Sequence, residues 1–239
     1  LVMSVSFSCK PSKQATATGE AATEKISSNM NGTGKVMEIT FEKGKAFNHP
    51  TFAIWIEDTA GKFIQTLFVT RSFGSGTFTY GDKSGGQWKP GQVKRPAALP
   101  NWSHKAGTAK GMVNYIPDQS NPLPDAYTGA TPAGNFALET RANKETARYV
   151  KVFMEINQTW DWNEYWTNNK YPDNFEYKTS CQPAVVYSAV VDIQKPGSAV
   201  ELKPVGHSHY SGDNGNLYTD LNTITTALHI ADKVTVTVK

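Results

Sequence analysis

The stretch Thr51-Phe-Ala-Ile-Trp-Ile-Glu57, followed by Asp58-Thr-Ala-Gly61 and Lys62-Phe-Ile-Gln-Thr-Leu-Phe-Val69, decides the fold. Both apolar runs are rich in β-branched and aromatic residues, which favour strands. The short segment between them ends in Gly61 and is typical of a turn. The sequence therefore predicts an antiparallel β-hairpin at this point.

Further strand patterns lie on both sides of the hairpin. Before it, Met37, Ile39 and Phe41 alternate with polar residues. After it, the strand candidates are Gly111–Ile116, Phe136–Thr140, Tyr149–Ile156, Ala184–Ile193 and Lys233–Val238. Short strands, many turn residues and hardly any helical stretch predict an all-β fold, an antiparallel β-sandwich of immunoglobulin-like plan. Residues 71–110 and 160–181 are predicted long loop insertions, which cover a site or pack on the sandwich.

Length and charge limit the function classes. The chain has 239 residues and a net charge of +3, too small to indicate nucleic-acid binding. Residues 10–34 are rich in Ser, Thr, Ala, Glu and Asn without apolar periodicity, which predicts a flexible tether. Residues 35–239 are long enough to form a single β-sandwich domain with a substantial core.

The N-terminal stretch Leu1-Val-Met-Ser-Val-Ser-Phe-Ser-Cys9 is too short to span a bilayer. It resembles the end of a secretory signal with a lipobox, although Ser6 stands where that pattern prefers Leu. The resemblance implies that residues 1–9 are a signal remnant and that Cys9 is lipidated, which predicts a lipid-anchored periplasmic or cell-surface protein. The alternative is an ordinary cysteine that forms a disulfide with Cys181.

A second distinctive stretch is Asp125-Ala-Tyr-Thr-Gly-Ala-Thr131, which lies between Pro124 and Pro132. The prolines restrict the backbone and Gly129 admits positive φ, so the stretch predicts a stiff loop that leads into a strand. A Pro- and Gly-containing turn of this kind also suits an ordinary strand entry in a β-sandwich.

The whole heptad resembles the flavin-attachment motif Asp-x-x-(Ser/Thr)-Gly-Ala-(Ser/Thr) of extracytoplasmic redox proteins. In those proteins a flavin transferase joins FMN by a phosphoester bond to the last hydroxyl residue. The resemblance implies covalent FMN on Thr131, with Asp125, Thr128, Gly129 and Ala130 as the recognition sequence. A small Gly-Ala approach leaves such a hydroxyl accessible for attack on a pyrophosphate.

Aromatic residues are concentrated at Trp160, Trp162, Tyr165 and Trp166. Large aromatic side chains at the end of a sandwich commonly pack as a lid. They also stack on flat ligands, here either an isoalloxazine ring or a sugar ring. Both interpretations remain open for this segment.

Two histidines, His207 and His209, fall on one face if their segment is extended, a spacing at which strands present paired imidazoles to a metal. Asp213 or Asp220 are candidates for a third ligand, but the pattern assigns neither. Histidines that hydrogen-bond to turn backbone are the alternative.

Three stretches together, "FAIWIEDTAGKFIQTL", "DAYTGATPAGNFAL" and "GHSHYSGDNGNLYTDLNTITTA", resemble a family of predicted periplasmic proteins of unknown function. That family is associated with flavin transferases and with PepSY-type membrane redox proteins. The resemblance covers residues 35–239 and implies an electron carrier that relays electrons through covalent FMN.

The rival hypothesis is a non-enzymatic surface lipoprotein that binds a glycan or a protein through its Trp-rich loops. Neither hypothesis requires a catalytic acid or base. No Gly-x-Ser-x-Gly elbow is present in the sequence, so nothing favours a hydrolase.

Overall fold

Strands dominate residues 23–239, the part of the chain that the computed structural model describes. The strands are β1 (Glu24–Ser28), β2 (Val36–Lys43), β3 (Thr51–Glu57), β4 (Phe63–Thr70), β5 (Thr77–Asp82), β6 (Lys89–Gln92), β7 (Thr128–Gly129), β8 (Phe136–Arg141), β9 (Tyr149–Asn157), β10 (Val185–Asp192), β11 (Ala199–Glu201), β12 (Lys203–His207) and β13 (Ala231–Val238). The helices are α1 (Arg71–Ser75), α2 (Pro100–Ala109) and α3 (Phe175–Ser180), and 3₁₀ turns occupy Asp125–Tyr127 and Thr226–His229. The predicted all-β sandwich is confirmed.

Two sheets form the sandwich. Sheet 1 has the strand order β1-β8-β2-β13-β11, and sheet 2 has the order β12-β10-β9-β3-β4-β7. The pairings are antiparallel except at two places, where β1 pairs with β8 and β7 pairs with β4 in parallel. Strands β5 and β6 form a separate two-stranded ribbon. The immunoglobulin-like plan stays a prediction, because this strand order does not establish it.

Sheet 2 is buried on both faces. Phe52, Ile54 and Ile56 of β3 pack into the core between the sheets, where the Phe52 and Phe136 rings stack with their centroids 5.2 Å apart. The alternate residues Ala53 and Trp55 belong to a second core beneath α1 and α2. This burial explains why β3 is apolar almost throughout instead of alternating.

Two buried glutamates hold α2 against sheet 2. The carboxylate of Glu155, on β9, accepts hydrogen bonds from the backbone N–H groups of Asn101 at 3.1 Å and Trp102 at 2.8 Å, in the first turn of α2. The Ser208 hydroxyl also donates to it. Further along the helix, Lys105 forms an ion pair with Glu57 at 2.9 Å. The first contact satisfies helix N–H groups that have no partner within the helix and places negative charge at the positive end of its dipole.

Three predictions about local structure are wrong. Gly111–Ile116 forms no strand, and Met112 and Val113 are exposed while Tyr115 fills the second core. Residues 71–110 contain α1, β5, β6 and α2, and residues 160–181 contain α3, so neither stretch is only a loop. The predicted tether extends too far, because residues 24–28 form β1 and Ser28 is buried; its residues 10–22 lie outside the described part of the chain.

The burial of Glu155 makes stability depend on pH. Burial raises the pKa of this carboxyl from 4.5 to about 7, so the folded state favours the protonated form. Glu155 contributes on the order of 3 kcal/mol to the free energy of unfolding. This contribution is fully present below pH 4.5 and is lost as the pH rises to about 7. Glu155→Gln should flatten the pH dependence of the unfolding free energy, measured by denaturant titration between pH 4.5 and 8.

Ser208→Ala provides the matched comparison. Donation from the Ser208 hydroxyl favours the carboxylate and lowers its pKa. Removing that donor should raise the pKa of Glu155 further, so the free energy of unfolding should continue to fall to a higher pH than in the wild type. Identical pH profiles for the wild type and Glu155→Gln would show that Glu155 does not control this dependence.

Candidate attachment loop and aromatic face

The heptad Asp125–Thr131 forms a loop at one edge of the sandwich. It starts with the 3₁₀ turn at Asp125–Tyr127 and continues into β7, where Thr128 and Gly129 pair with Val69 and Thr70 at the end of β4. The Asn29 N–H donates to the Ala126 carbonyl at 2.9 Å, which ties the turn to the chain after β1. Neighbouring elements therefore hold the first five residues of the heptad in place.

The middle of the heptad is buried. A Cβ atom on Gly129 would lie 2.7 Å from Cε2 of the Phe68 ring, closer than side-chain carbons approach one another. Gly129 is not among the glycines with positive φ, so close approach rather than an unusual backbone angle explains why it has no side chain. The Thr128 hydroxyl oxygen is buried and has no hydrogen-bond partner within residues 23–239. Both residues therefore have packing roles, whatever else they do.

The ends of the heptad reach the surface. Asp125 and Ala130 are exposed, and Thr131 is half-buried between Ala130 and the buried Pro132. Four residues after Thr131, the Asn135 carbonyl accepts a hydrogen bond of 2.8 Å from the Glu24 N–H at the start of β1. The residue that the motif assigns as the acceptor is thus partly exposed, next to the exposed Ala130.

A cleft of about 370 Å³ adjoins the start of the loop. Its walls include Arg71 and Gly74 of α1, Leu123, and the heptad residues Asp125 and Thr128. Arg71 is exposed and is a cation close to the loop. A guanidinium at this position suits a phosphate group, since its N–H donors match phosphate oxygens.

The aromatic segment divides into an exposed part and a buried part. Trp160 and Trp162 are 65% and 52% exposed, whereas Trp166 is 6% exposed. The Trp166 ring packs near Tyr177 and Tyr210, and its Nε1–H donates to the Thr223 hydroxyl at 3.1 Å. The prediction that Trp166 stacks on an external ligand is therefore wrong for this conformation, because core packing already covers its ring.

The two histidines are engaged by their neighbours. His207 Nδ1–H donates to the Ser208 carbonyl at 2.8 Å, and its ring stacks on Tyr218 with centroids 5.4 Å apart. His209 Nδ1 lies 3.0 Å from the Ser211 hydroxyl. Within residues 23–239, no group of three or more His, Cys, Asp or Glu side chains is placed to hold a metal ion. These contacts match the turn-bonding alternative, and neither Asp213 nor Asp220 completes a metal site.

The structure describes Cys181 but not Cys9. Cys9 lies outside the described residues, so neither its lipidation nor a disulfide to Cys181 is tested. Cys181, which follows α3, is buried and forms no disulfide with another residue of the range 23–239, and burial raises the pKa of its thiol. Among the described residues, none forms a helix with the length and apolar character needed to cross a membrane.

A second cleft, with a volume of about 670 Å³, was not indicated by any pattern in the sequence. It forms where the turn between β3 and β4 meets α2 and the loop around Gly215, with His104 and Lys105 in its wall. These segments are far apart in the chain, and no local pattern connects them.

Comparison with protein-family models finds no match for this chain, and no curated protein or solved structure matches it significantly. The family resemblance seen in the sequence therefore stays a prediction. Function has to be inferred from the residues and their geometry.

The packing role of Gly129 can be tested by Gly129→Ala. The added methyl group meets the Phe68 ring, so we expect a loss of about 1–3 kcal/mol in unfolding free energy by denaturant titration. Gly134→Ala is the matched control in the same loop, because the nearest atom to its Cβ is Lys43 Cδ at 3.6 Å. Equal effects of the two substitutions would contradict the steric explanation.

Proposed function

We propose that this protein carries FMN, joined by a phosphoester bond to Thr131, and relays electrons in the cell envelope. The observation that carries the proposal is the complete heptad on a loop whose middle is fixed and whose final hydroxyl residue reaches the surface. A transferase needs both properties, because it must bind a defined backbone shape and reach the acceptor oxygen.

The residues of the loop fit a covalently held flavin. Gly129 approaches Phe68 too closely for any side chain, which fixes the path of the backbone two residues before the acceptor. Ala130 is small and exposed, so it leaves the approach to Thr131 open. The cleft that adjoins the start of the loop contains a cation, Arg71, beside Asp125 and Thr128. Bound flavin supplies the electron chemistry, and the chain positions and shields it.

Attachment is a group transfer from FAD. Thr131 would hold FMN through its hydroxyl oxygen, which would replace the bridging pyrophosphate oxygen on the phosphorus atom of the FMN half of FAD. AMP would leave with the bridging oxygen, and the hydroxyl proton would pass to a base of the flavin transferase. No redox change occurs in this step, so FAD is the only co-reactant required.

The remaining parts of the proposal concern location and partners. Lipidation of Cys9 would anchor the domain on the periplasmic or cell surface. The modifying partner would be a flavin transferase, and the redox partner a PepSY-type membrane protein. The protein itself would act as an electron carrier and not as a hydrolase.

Thr131→Ala tests the attachment site, and Thr131→Ser is its matched control. The protein should be co-expressed in the periplasm with a flavin transferase and measured as intact mass and in-gel flavin fluorescence after denaturation. We expect a covalent FMN on the wild type and on Thr131→Ser, which keeps the hydroxyl, and none on Thr131→Ala.

Thr128→Val tests whether flavin attachment depends on the Thr128 hydroxyl, which is part of the motif but is not the acceptor. Valine nearly matches threonine in shape, and the Thr128 hydroxyl has no partner within residues 23–239, so the fold should survive this change. Loss of modification with a retained melting temperature would show that the transferase reads this hydroxyl. An unmodified wild type beside a modified positive control would falsify the proposed function.

A further inference from the structure

The segment Thr159–Ser180 has a composition unlike the rest of the chain. It contains seven aromatic residues but no Ala, Val, Leu, Ile, Met or Arg, and most of its other residues are Asn, Thr, Asp, Glu and Lys. Trp166 and Tyr177 are buried, whereas Trp160, Trp162 and Tyr165 are more than half exposed. We call these three exposed residues the aromatic face.

The backbone beneath the aromatic face is fixed. Trp160 has a φ of 63°, which is rare for a bulky residue, and its N–H donates to the Thr179 carbonyl at 3.2 Å. The next residue, Asp161, pairs with Cys181 and accepts a hydrogen bond from the Thr226 hydroxyl. An unfavourable backbone angle persists only where surrounding contacts enforce it, so the presentation of Trp160 is imposed by the fold.

Asp161 holds the backbone next to the aromatic face. The residue is 9% exposed, and its Oδ2 atom is buried without a hydrogen-bond partner within residues 23–239. Its carbonyl accepts from the Gln182 N–H at 3.0 Å. Because Asp161 is buried between Trp160 and Trp162 in the chain, a buried polar network holds the backbone that carries both indoles. Binding of a ligand to the indoles would therefore order little additional backbone.

The chemistry around the rings selects one kind of partner. Four carboxylates outnumber two lysines in Thr159–Ser180, which disfavours anionic lipid surfaces and nucleic acids. The segment has the aromatic residues that are enriched at protein interfaces but lacks the arginine and methionine that accompany them there. Exposed indoles in a segment rich in amide and hydroxyl groups suit a ligand with flat C–H faces and hydroxyl edges. A neutral sugar chain has both features.

We propose that the aromatic face binds a neutral β-linked glycan, with pyranose rings stacked on Trp160 and Trp162. This site is independent of the flavin on Thr131 and uses none of the heptad residues. Tyr165 lies at the border of the site, because Lys170 Nζ already occupies a position 3.1 Å from its ring centroid. The stacking surface is therefore provided mainly by the two tryptophans.

Isothermal titration calorimetry of the full chain with chitohexaose and with cellohexaose tests the site. We expect saturable binding of at least one of these probes. Trp160→Ala and Trp162→Ala should each weaken that binding at least fivefold, and Trp162→Tyr should restore most of it because a ring is retained. No saturable binding of either probe at millimolar concentration would overturn the proposal.

Trp88→Ala is the matched control. Trp88 is 56% exposed, between the strands of the β5–β6 ribbon, so its loss removes an exposed indole elsewhere in the chain. We expect unchanged affinity for the glycan probe. An equal loss of glycan affinity in this variant would overturn the assignment. The assignment would also fail if neither glycan binds and the protein instead co-sediments with phosphatidylcholine vesicles in a way that depends on Trp160 and Trp162. Melting temperatures verify that each variant is folded.

Discussion

The contact between Glu155 and the first turn of α2 is the constraint on which much of the structure depends. Sheet 2 has apolar side chains on both faces, so its second face must be covered. The cover is α2, whose N-cap is Leu99, without a capping side chain, and whose first turn contains no acidic residue. The fold supplies the missing acceptor from β9, more than fifty residues away in the sequence. The two backbone donors and the hydroxyl offset part of the cost of burying this carboxylate, and burial still raises its pKa.

The same contact links the register of the central sheet to the outer layer. Glu155 pairs with Ala53 on β3 and with Val186 on β10, and both neighbours belong to the second core. A one-residue slip of β9 would turn Glu155 toward the core between the sheets and leave α2 without its acceptor. Strand pairing, helix docking and the second core are thus consistent with only one register.

The sequence correctly predicted those strands whose own residues form an apolar run. Strands β3, β4, β9, β10 and β13 follow their apolar runs closely, because burial on a sheet face determines those residues directly. The sequence of β1, Glu-Lys-Ile-Ser-Ser, has no such run, and its strand conformation comes from pairing with β8. Helix α2 was missed because its N-terminal stabilisation comes from β9. Gly111–Ile116 was misread because Tyr115 is buried in the second core without strand pairing.

The same holds for the candidate sites: the sequence shows which residue types are present, but only the fold shows which of them are exposed. Sequence reasoning selected Trp160, Trp162 and Trp166 together, but only three-dimensional packing separates the buried Trp166 from the two exposed indoles. It also explained Gly129 by the freedom of glycine to adopt positive φ, whereas the close approach of Gly129 to Phe68 depends on β7 lying against β4.

The loop Asp125–Thr131 belongs to the edge at which the two sheets are joined. Ser28, at the end of β1, donates to the Leu67 carbonyl of β4 at 2.8 Å, so β1 connects sheet 1 with sheet 2 beside the heptad. The chain enters β1 through the Glu24 contact with Asn135, at the base of the same loop. Thr131 and the start of β1 therefore lie at the same edge of the domain, where the contact between Glu24 and Asn135 fixes the base of the loop.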